Sequence, residues 1–439
     1  MSFPRYPSYK DSGVEWLGEV PEHWAVKRIG YYFNERREKV SDKDFPALSV
    51  TKNGIVPQLD TAAKSDDSDN RKKVSKGDFV INSRSDRKGS AGASELDGSV
   101  SLICTVLRPQ EHVHTPFIHH LLRSQPFQEE FYRNGKGIVA DLWSTNYSEM
   151  RNILLGMPPL HEQTLIAAFL DRETAKIDVL VAEQRRLMEL LKEKRQAVIA
   201  HAVTQGINPH APMKPSGIEW LGDIPEHWEL KRLKYLGEAI IGLTYSPADI
   251  VDEGSGTLVL RSSNVQGGKI VFDDNVYVTT AIPEDLVTKV GDILICSRNG
   301  SRALIGKNAV IDESSAALTF GAFMTIFRSQ HSAYLACVLN SPLFEFQSGA
   351  FMTSTINQLT VGVLNNFEVP LPPADEREQI AGFLKRETAK FNALTAEAQR
   401  AIDLLQERRT ALISAAVTGQ IDVRGLGVSS AVSPATNCV

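Results

Sequence analysis

Cysteine is scarce in this 439-residue chain, and the four present, Cys104, Cys296, Cys337 and Cys438, show no CxxC spacing. That pattern argues against a disulfide framework or a cysteine-rich zinc site and fits reduced thiols in a cytoplasm. Long apolar runs are missing too: no stretch approaches the roughly 20 residues needed to span a bilayer, so no membrane segment is expected. The opening residues, MSFPRYPSYKDSG, lack the apolar core of a secretory signal, and the expected location is cytoplasmic. Neither sign of charge dominates. The formal net charge is −5, but local charge decides contacts with a polyanion more than the sum does.

Catalytic signatures are equally sparse. There is no GxSxG and no HExxH. The Asp/Asn-Pro-Pro-aromatic motif of amino methyltransferases is absent, because Pro158-Pro159 and Pro372-Pro373 are followed by Leu160 and Ala374. The stretch GSRALIGK (300–307) has five residues rather than four between its glycines, with Asn308 where a phosphate-binding loop needs Ser or Thr. His112, His114, His119 and His120 lie close together without an acidic or cysteine partner at ligand spacing, so they read as structural or solvated. No catalytic residue, metal or cofactor is expected in this chain.

What the sequence does have is a repeat. SGVEWLGEVPEHW (12–24) returns as SGIEWLGDIPEHW (216–228), and GDFVINSR (77–84) as GDILICSR (291–298). The run 166–206 aligns without gaps on 380–420. Between these anchors the copies have diverged almost beyond alignment, so a constant frame holds a variable filling. The tryptophan-rich phrase is nearly identical in both copies. It therefore reads as a docking segment, with Trp16, Trp24, Trp220 and Trp228 as anchors; His23 and His227 are not read as catalysts.

The two aligned runs predict long helices with coiled-coil spacing. The expected seam is Ile166, Leu170, Ile177, Leu180, Leu187, Leu191 and Val198, repeated as Ile380, Leu384, Phe391, Leu394, Leu405 and Leu412. A double proline precedes each helix, and Gly206 or Gly419 follows it. About 40 residues at ~1.5 Å each give rods of roughly 60 Å. Antiparallel pairing of the two rods is the simplest arrangement; the alternative lays each on its own domain.

The fold class is therefore α+β, an internal duplication with pseudo-two-fold symmetry: two similar mixed domains joined by two long helices in an antiparallel coiled coil. The expected boundaries are 1–157 for the first domain, 158–206 for the first helix, 207–371 for the second domain and 372–420 for the second helix. Residues 421–439 form a tail expected to be disordered. Strands are expected at 79–83, 101–107, 293–297 and 323–327. Short helices are expected at 117–131 and 332–346, with Pro126 and Pro342 as candidate breaks.

Both GD-strands end in arginine and run into basic polar loops. Residues 71–88 hold seven basic against two acidic side chains, and 289–307 hold four against one. Arginine can bond guanine bidentately, asparagine can bond adenine, and lysine favours phosphates. The candidate DNA-binding residues are Arg84, Arg87 and Lys88 in the first copy, and Arg298, Asn299, Arg302 and Lys307 in the second. Arg133 and Lys136 are weaker candidates for the DNA backbone. For each, the competing reading is a solvated charged edge.

The layout as a whole resembles the specificity subunit of type I restriction–modification systems. The resemblance rests on the paired EWLG…PEHW phrases and on MPPLHEQTLIAAFLDRETAKID with LPPADEREQIAGFLKRETAKFN. It covers nearly the whole chain except the tail. One departure is Arg377, which stands where the first copy has Gln163. The resemblance implies two target-recognition domains, each reading half of a bipartite asymmetric site in double-stranded DNA, with helices that fix the gap. It implies docking of two methyltransferase subunits that methylate adenine using S-adenosylmethionine. Restriction subunits, which use ATP to translocate and cut DNA, join that core. S-adenosylmethionine, magnesium and ATP would belong to those partners. The competing readings are a tandem coiled-coil scaffold that binds no nucleic acid and a self-contained DNA-modifying enzyme.

Overall fold

The computed structural model describes residues 3–60, 69–137, 143–219, 221–351 and 358–426. Trp220, Cys438 and the tail from residue 427 lie outside them. The chain divides into two compact units, residues 1–184 with 399–439, and residues 185–398. The boundary falls inside both long helices, which run over Leu160–Thr204 and Ala374–Val417.

The same frame is built in each unit. In the first, Tyr9–Asp11 pairs antiparallel with Glu19–Pro21, and Ala25–Arg28 pairs with Leu154–Met157 just before the long helix. In the second, Met213–Pro215 pairs with Asp223–Pro225, and Glu229–Arg232 pairs with Glu368–Leu371. The GD-strands, Phe79–Asn82 and Ile293–Cys296, each sit inside a four-stranded antiparallel sheet. Both are buried along their whole length. Strand alternation explains this: Ile293 and Ile295 enter one apolar cluster, while Leu294 and Cys296 enter another on the opposite face.

The filling differs. The first unit adds a three-stranded sheet ordered Gly98–Val100, Arg71–Val74, Lys39–Val40, and a hairpin of Leu48–Thr51 with Gly54–Pro57. The second adds a four-stranded sheet in which Thr257–Leu260 runs parallel to Thr319–Phe320. Each expected short helix is two helices: Thr115–Leu121 and Gln125–Arg133, then Ser332–Leu339 and Pro342–Phe351. Pro126 and Pro342 open the second helix of each pair, where a missing N–H costs nothing. In the stretch resembling a phosphate loop, a 3-10 turn (Arg302–Leu304) leads into a strand (Asn308–Val310) rather than a helix.

The long helices pair antiparallel inside each unit. In the first, the start of one helix (Glu162) and the end of the other (Gly419) both meet Trp24, while Asp178 and Arg409 stand 3.3 Å apart. In the second, Glu376 and Gly206 both meet Trp228, and Arg195 Nη1 donates to Asn392 Oδ1 at 3.2 Å. Both helix ends turn on glycines in the left-handed region, Gly206 at φ +77° and Gly419 at φ +79°. A Cβ at Gly419 would lie 2.3 Å from Pro21 Cδ, so the position is closed to side chains on two grounds.

The seam itself departs from the expected one. Leu180 and Leu187 are over 40% exposed, and Leu394 is 51% exposed. Val181, Ala398 and Ile402 take buried places instead. After Ile177 the sequence offers apolar residues at both the third and fourth positions, and each spacing fits a 3.5-residue period. The partner helix lies on the Val181 side.

Cys104, Cys296 and Cys337 are free thiols, and burial pushes Cys104 up to about 12 and Cys337 to about 11, so both stay protonated and unreactive. Among the described residues no helix is long and apolar enough to cross a membrane.

Candidate nucleic-acid interface

The repeated motifs are occupied internally. Glu162, buried in the first turn of the long helix, accepts from Trp24 Nε1 at 2.9 Å, lies 2.8 Å from His23 Nε2 and also accepts from the Tyr6 hydroxyl. Burial and the neighbouring carboxylate push the Tyr6 hydroxyl far above its ordinary value, so it remains a donor. In the second unit Glu376 repeats the arrangement with His227 Nε2 at 2.7 Å and Trp228 Nε1 at 3.0 Å. A carboxylate there also faces the positive end of the helix dipole. The PEHW phrase is therefore a latch on the helix entry. Gln163 and Arg377, where the copies differ, do one shared thing: each donates to the carbonyl of the first proline of its double proline.

Trp16 stands half-buried, edge-on to Phe127 with ring centroids 6.1 Å apart. Trp16→Ala is expected to cost about 2 kcal/mol of stability, less than a fully buried aromatic, while the preferred DNA sequence stays the same. Denaturant titration and methylome sequencing of the variant check the two halves of this prediction.

The aspartate of each GD-strand is likewise structural. Asp78 is buried and held by Arg36 through Nε at 2.7 Å and Nη2 at 3.1 Å, and Asp292 by Arg328 at 2.9 and 2.7 Å. Each aspartate also accepts a backbone N–H, from Ser75 or Lys289, at 2.8 Å. Much of the basic run at 71–76 is committed in the same way. Arg71 is buried on Ser99, Lys72 donates to the Cys104 carbonyl, and Lys73 pairs with Glu38 at 2.9 Å.

The arginines that end the GD-strands are exposed. Arg84 leads into a 3-10 turn, Ser85–Arg87, whose Arg87 is solvent-facing with Asp86 beside it at 3.5 Å. Lys88 lies over the Tyr132 ring, 5.4 Å from its centre. Arg133 is engaged by Glu15 and Glu130, and Lys136 by Glu149 at 3.3 Å.

In the second unit Arg298 and Asn299 come together on a cleft of about 980 Å³. The Arg298 guanidinium stacks over Phe323 at 5.2 Å, and Phe323 is 59% exposed. Asn299 is held from both ends, donating to Ser262 Oγ at 3.2 Å and accepting from the Ser301 N–H. Lys307 reaches the Ser262 carbonyl, and Arg302 sits exposed on its turn outside the cleft. Sequence reading missed Tyr245, Arg261 and Phe323, which also line this cleft. Arg261 is aimed by Asp274 at 2.8 Å, and its Nε has no partner. Phe323 opens a β-former run, which made it look like core; its exposure becomes visible only once the strand is seen to start at Met324. An aromatic face flanked by two guanidiniums and short polar side chains can stack on bases and bond their edges.

Two of the four histidines tie their segment to the long helix. His120 Nε2 bonds Asp171 on the long helix at 2.7 Å, and the His114 N–H donates to Gln163.

Residues 225–404 match the family model described as the type I restriction modification DNA specificity domain. The chain is 25% identical to the type I restriction enzyme MjaVIII specificity subunit of Methanocaldococcus jannaschii, over 93% of this chain and 95% of that protein. It is 26% identical to the EcoKI specificity subunit of Escherichia coli over 66% and 64% of the two. Among solved structures it is similar in fold to a chain from a study of complex assembly and conformational transition of the type I R-M system. That match has a TM-score of 0.71 at 19% identity and covers 92% of this chain and 99% of the other. The HsdS subunit from Thermoanaerobacter tengcongensis matches with a TM-score of 0.53 at 18% identity, covering 92% and 98%. The fold of the chain is thus similar to theirs, and with the type I restriction modification DNA specificity domain matched over residues 225–404 the chain resembles type I restriction–modification specificity subunits.

Proposed function

We propose that this chain supplies DNA sequence specificity to a type I restriction–modification complex, each unit binding one half of a bipartite, asymmetric site. One observation supports the reading: motif residues kept in both copies are mostly turned inward, Arg84 and Arg298 apart, while the loops that follow those two exposed arginines differ. Glu162 and Glu376, and Asp78 and Asp292, are held inside the frame. The loops after Arg84 and Arg298 share neither sequence nor surroundings, as two heads reading different bases require. Arg84, Arg87 and Lys88 serve the first half-site. Arg298, with Arg261 and Phe323, serves the second, and Arg302 and Lys307 approach phosphates.

Two methyltransferase subunits are the proposed partners. Leu180 and Leu404 are exposed in the first unit, and the equivalent Leu394 and Leu190 in the second, so each unit offers the same pair of apolar side chains. Equivalent apolar positions suit two copies of one partner.

Arg298→Ala is expected to weaken recognition of the second half-site by about 10- to 100-fold, the ~1–3 kcal/mol of one good base contact, and to leave the first half-site intact. Methylome sequencing of cells expressing the variant with its methyltransferase reads both halves. An unchanged second half-site would remove Arg298 from base reading, and DNA binding absent even with partners would favour the scaffold reading.

A further inference from the structure

A second cavity, of about 430 Å³, lies wholly inside the first unit, between the turn after Thr115–Leu121 and the closing stretch of the second long helix. It is lined by Lys52, Lys88, His119, Arg123, Gln128 and Arg409, among others, and no acidic residue is among its lining. The cations are poorly compensated. Arg123 donates to the Lys52 carbonyl and to His119, both neutral, and its Nε is buried without a partner. Arg409 is ion-paired through its Nε, 3.3 Å from Asp178 Oδ1, though without hydrogen-bond geometry. Both ring nitrogens of His119 face N–H donors, Arg123 and the Ala93 amide. Of the nearby carboxylates, Asp171 is engaged by His120 and Asp178 lies on the Arg409 side.

Placing the partly buried Arg123 guanidinium beside that of Arg409, whose side chain is 40% exposed, is unfavourable unless an anion joins them. Burial and the charge of Arg409 both lower the pKa of Arg123, the mark of a cation without its counter-charge. The scaffold holds the group firmly: Gln128 Nε2 donates to the Arg123 carbonyl at 2.7 Å, and Ser124 Oγ caps the same turn on Leu121. Among the described residues the second unit does not repeat this arginine. At its matching turn, before Pro342, stands Asn340, which is bonded to Asn308 at 2.8 Å.

We propose that this cavity binds one tetrahedral phosphoryl anion between Arg123 and Arg409, with Lys52 and Lys88 as outer cations. Two sources share that chemistry, free orthophosphate and a phosphodiester of the DNA backbone; the second rests on the function proposed above. Lys88 and Gly89 line the cavity and continue the loop of Arg84 and Arg87, so a backbone phosphate held here would anchor that loop on the duplex.

The test uses the full-length chain. Thermal unfolding is followed against sodium orthophosphate and against sodium chloride at matched ionic strength. Phosphate is expected to raise Tm beyond chloride, and the difference should vanish in Arg123→Gln and Arg409→Gln but persist in Arg408→Gln, an exposed neighbour. Should Arg123→Gln fail to fold, Arg409→Gln on the helix surface carries the comparison. In parallel, the salt dependence of duplex binding by the complex with its methyltransferase is measured for wild type and Arg409→Gln. Loss of about one unit from the slope of log K against log salt identifies a DNA phosphodiester. A phosphate-specific Tm rise with an unchanged slope identifies the free anion. No phosphate-specific rise together with an unchanged slope overturns the site. If the complex binds no DNA, the function proposed above fails while the orthophosphate comparison still decides this one.

Discussion

Glu162→Ala is expected to lower the stability of the chain by about 3 kcal/mol, the largest single-residue effect foreseen here. The carboxylate is the shared acceptor for Tyr6, His23 and Trp24, and the Tyr6 and Trp24 side chains are buried. Removing it leaves two buried donors facing an apolar gap, and each orphaned donor costs about 1–3 kcal/mol. Water reaching the site through the half-exposed His23 recovers part of that. Glu162→Gln keeps one carbonyl acceptor and should lose about half as much. Glu376→Ala should also lose about half as much, because Glu376 is partly exposed and, among the described residues, serves His227 and Trp228. Denaturant titrations of the three variants give the order directly. A Glu162→Ala variant within about 1 kcal/mol of wild type would show that the latch is not what holds the helix entry.

Lengthening both long helices by one heptad is expected to widen the gap of the DNA site by about three base pairs and leave both half-sites unchanged. Seven residues at ~1.5 Å add roughly 10 Å, and B-DNA rises ~3.4 Å per base pair. The paired helices set a condition on the design. Asp178 meets Arg409 in one unit and Arg195 meets Asn392 in the other, antiparallel in both, so an insertion near residue 195 alone would shift one seam against its partner. Matched insertions after Gln184 and Ala398, at the unit boundary, keep both registers. Methylome sequencing reads the outcome. Altered half-sites with the original gap would falsify the role of the helices as a spacer.

Much of this was legible beforehand. The duplication stands in the sequence as repeated strings, and the repeated strings became repeated elements: two matching strand pairs, two GD-strands and two long helices stopped by Gly206 and Gly419. Periodicity, proline and glycine are local signals, and these elements are set by local chemistry. Trp24 and Trp228 of the tryptophan phrase are buried against the helix entries, as a docking segment requires, yet their partners were invisible in the sequence. Glu162 lies 138 residues from Trp24, and nothing local joins them.

Charge counting was the weakest guide. Seven basic residues between 71 and 88 look like one patch, but Arg71, Lys72 and Lys73 are committed within the frame, so Lys76, beside the exposed Glu95, and the loop from Arg84 are what remain outward. The Asp78 and Asp292 carboxylates recur at one motif position, while their arginine partners, Arg36 and Arg328, come from opposite sides of it in the chain. Cluster composition gives the sign of a surface only after burial has decided which charges reach it.

By itself, then, the sequence determined the twofold plan, the helices and their ends, because each is written in residues close together along the chain. Tertiary structure alone decided which leucines are buried along the long helices, which arginines are exposed, and that Arg123 and Arg409 line one cavity. Those outcomes depend on what lies across the gap from each side chain, and a side chain carries no record of its distant neighbours.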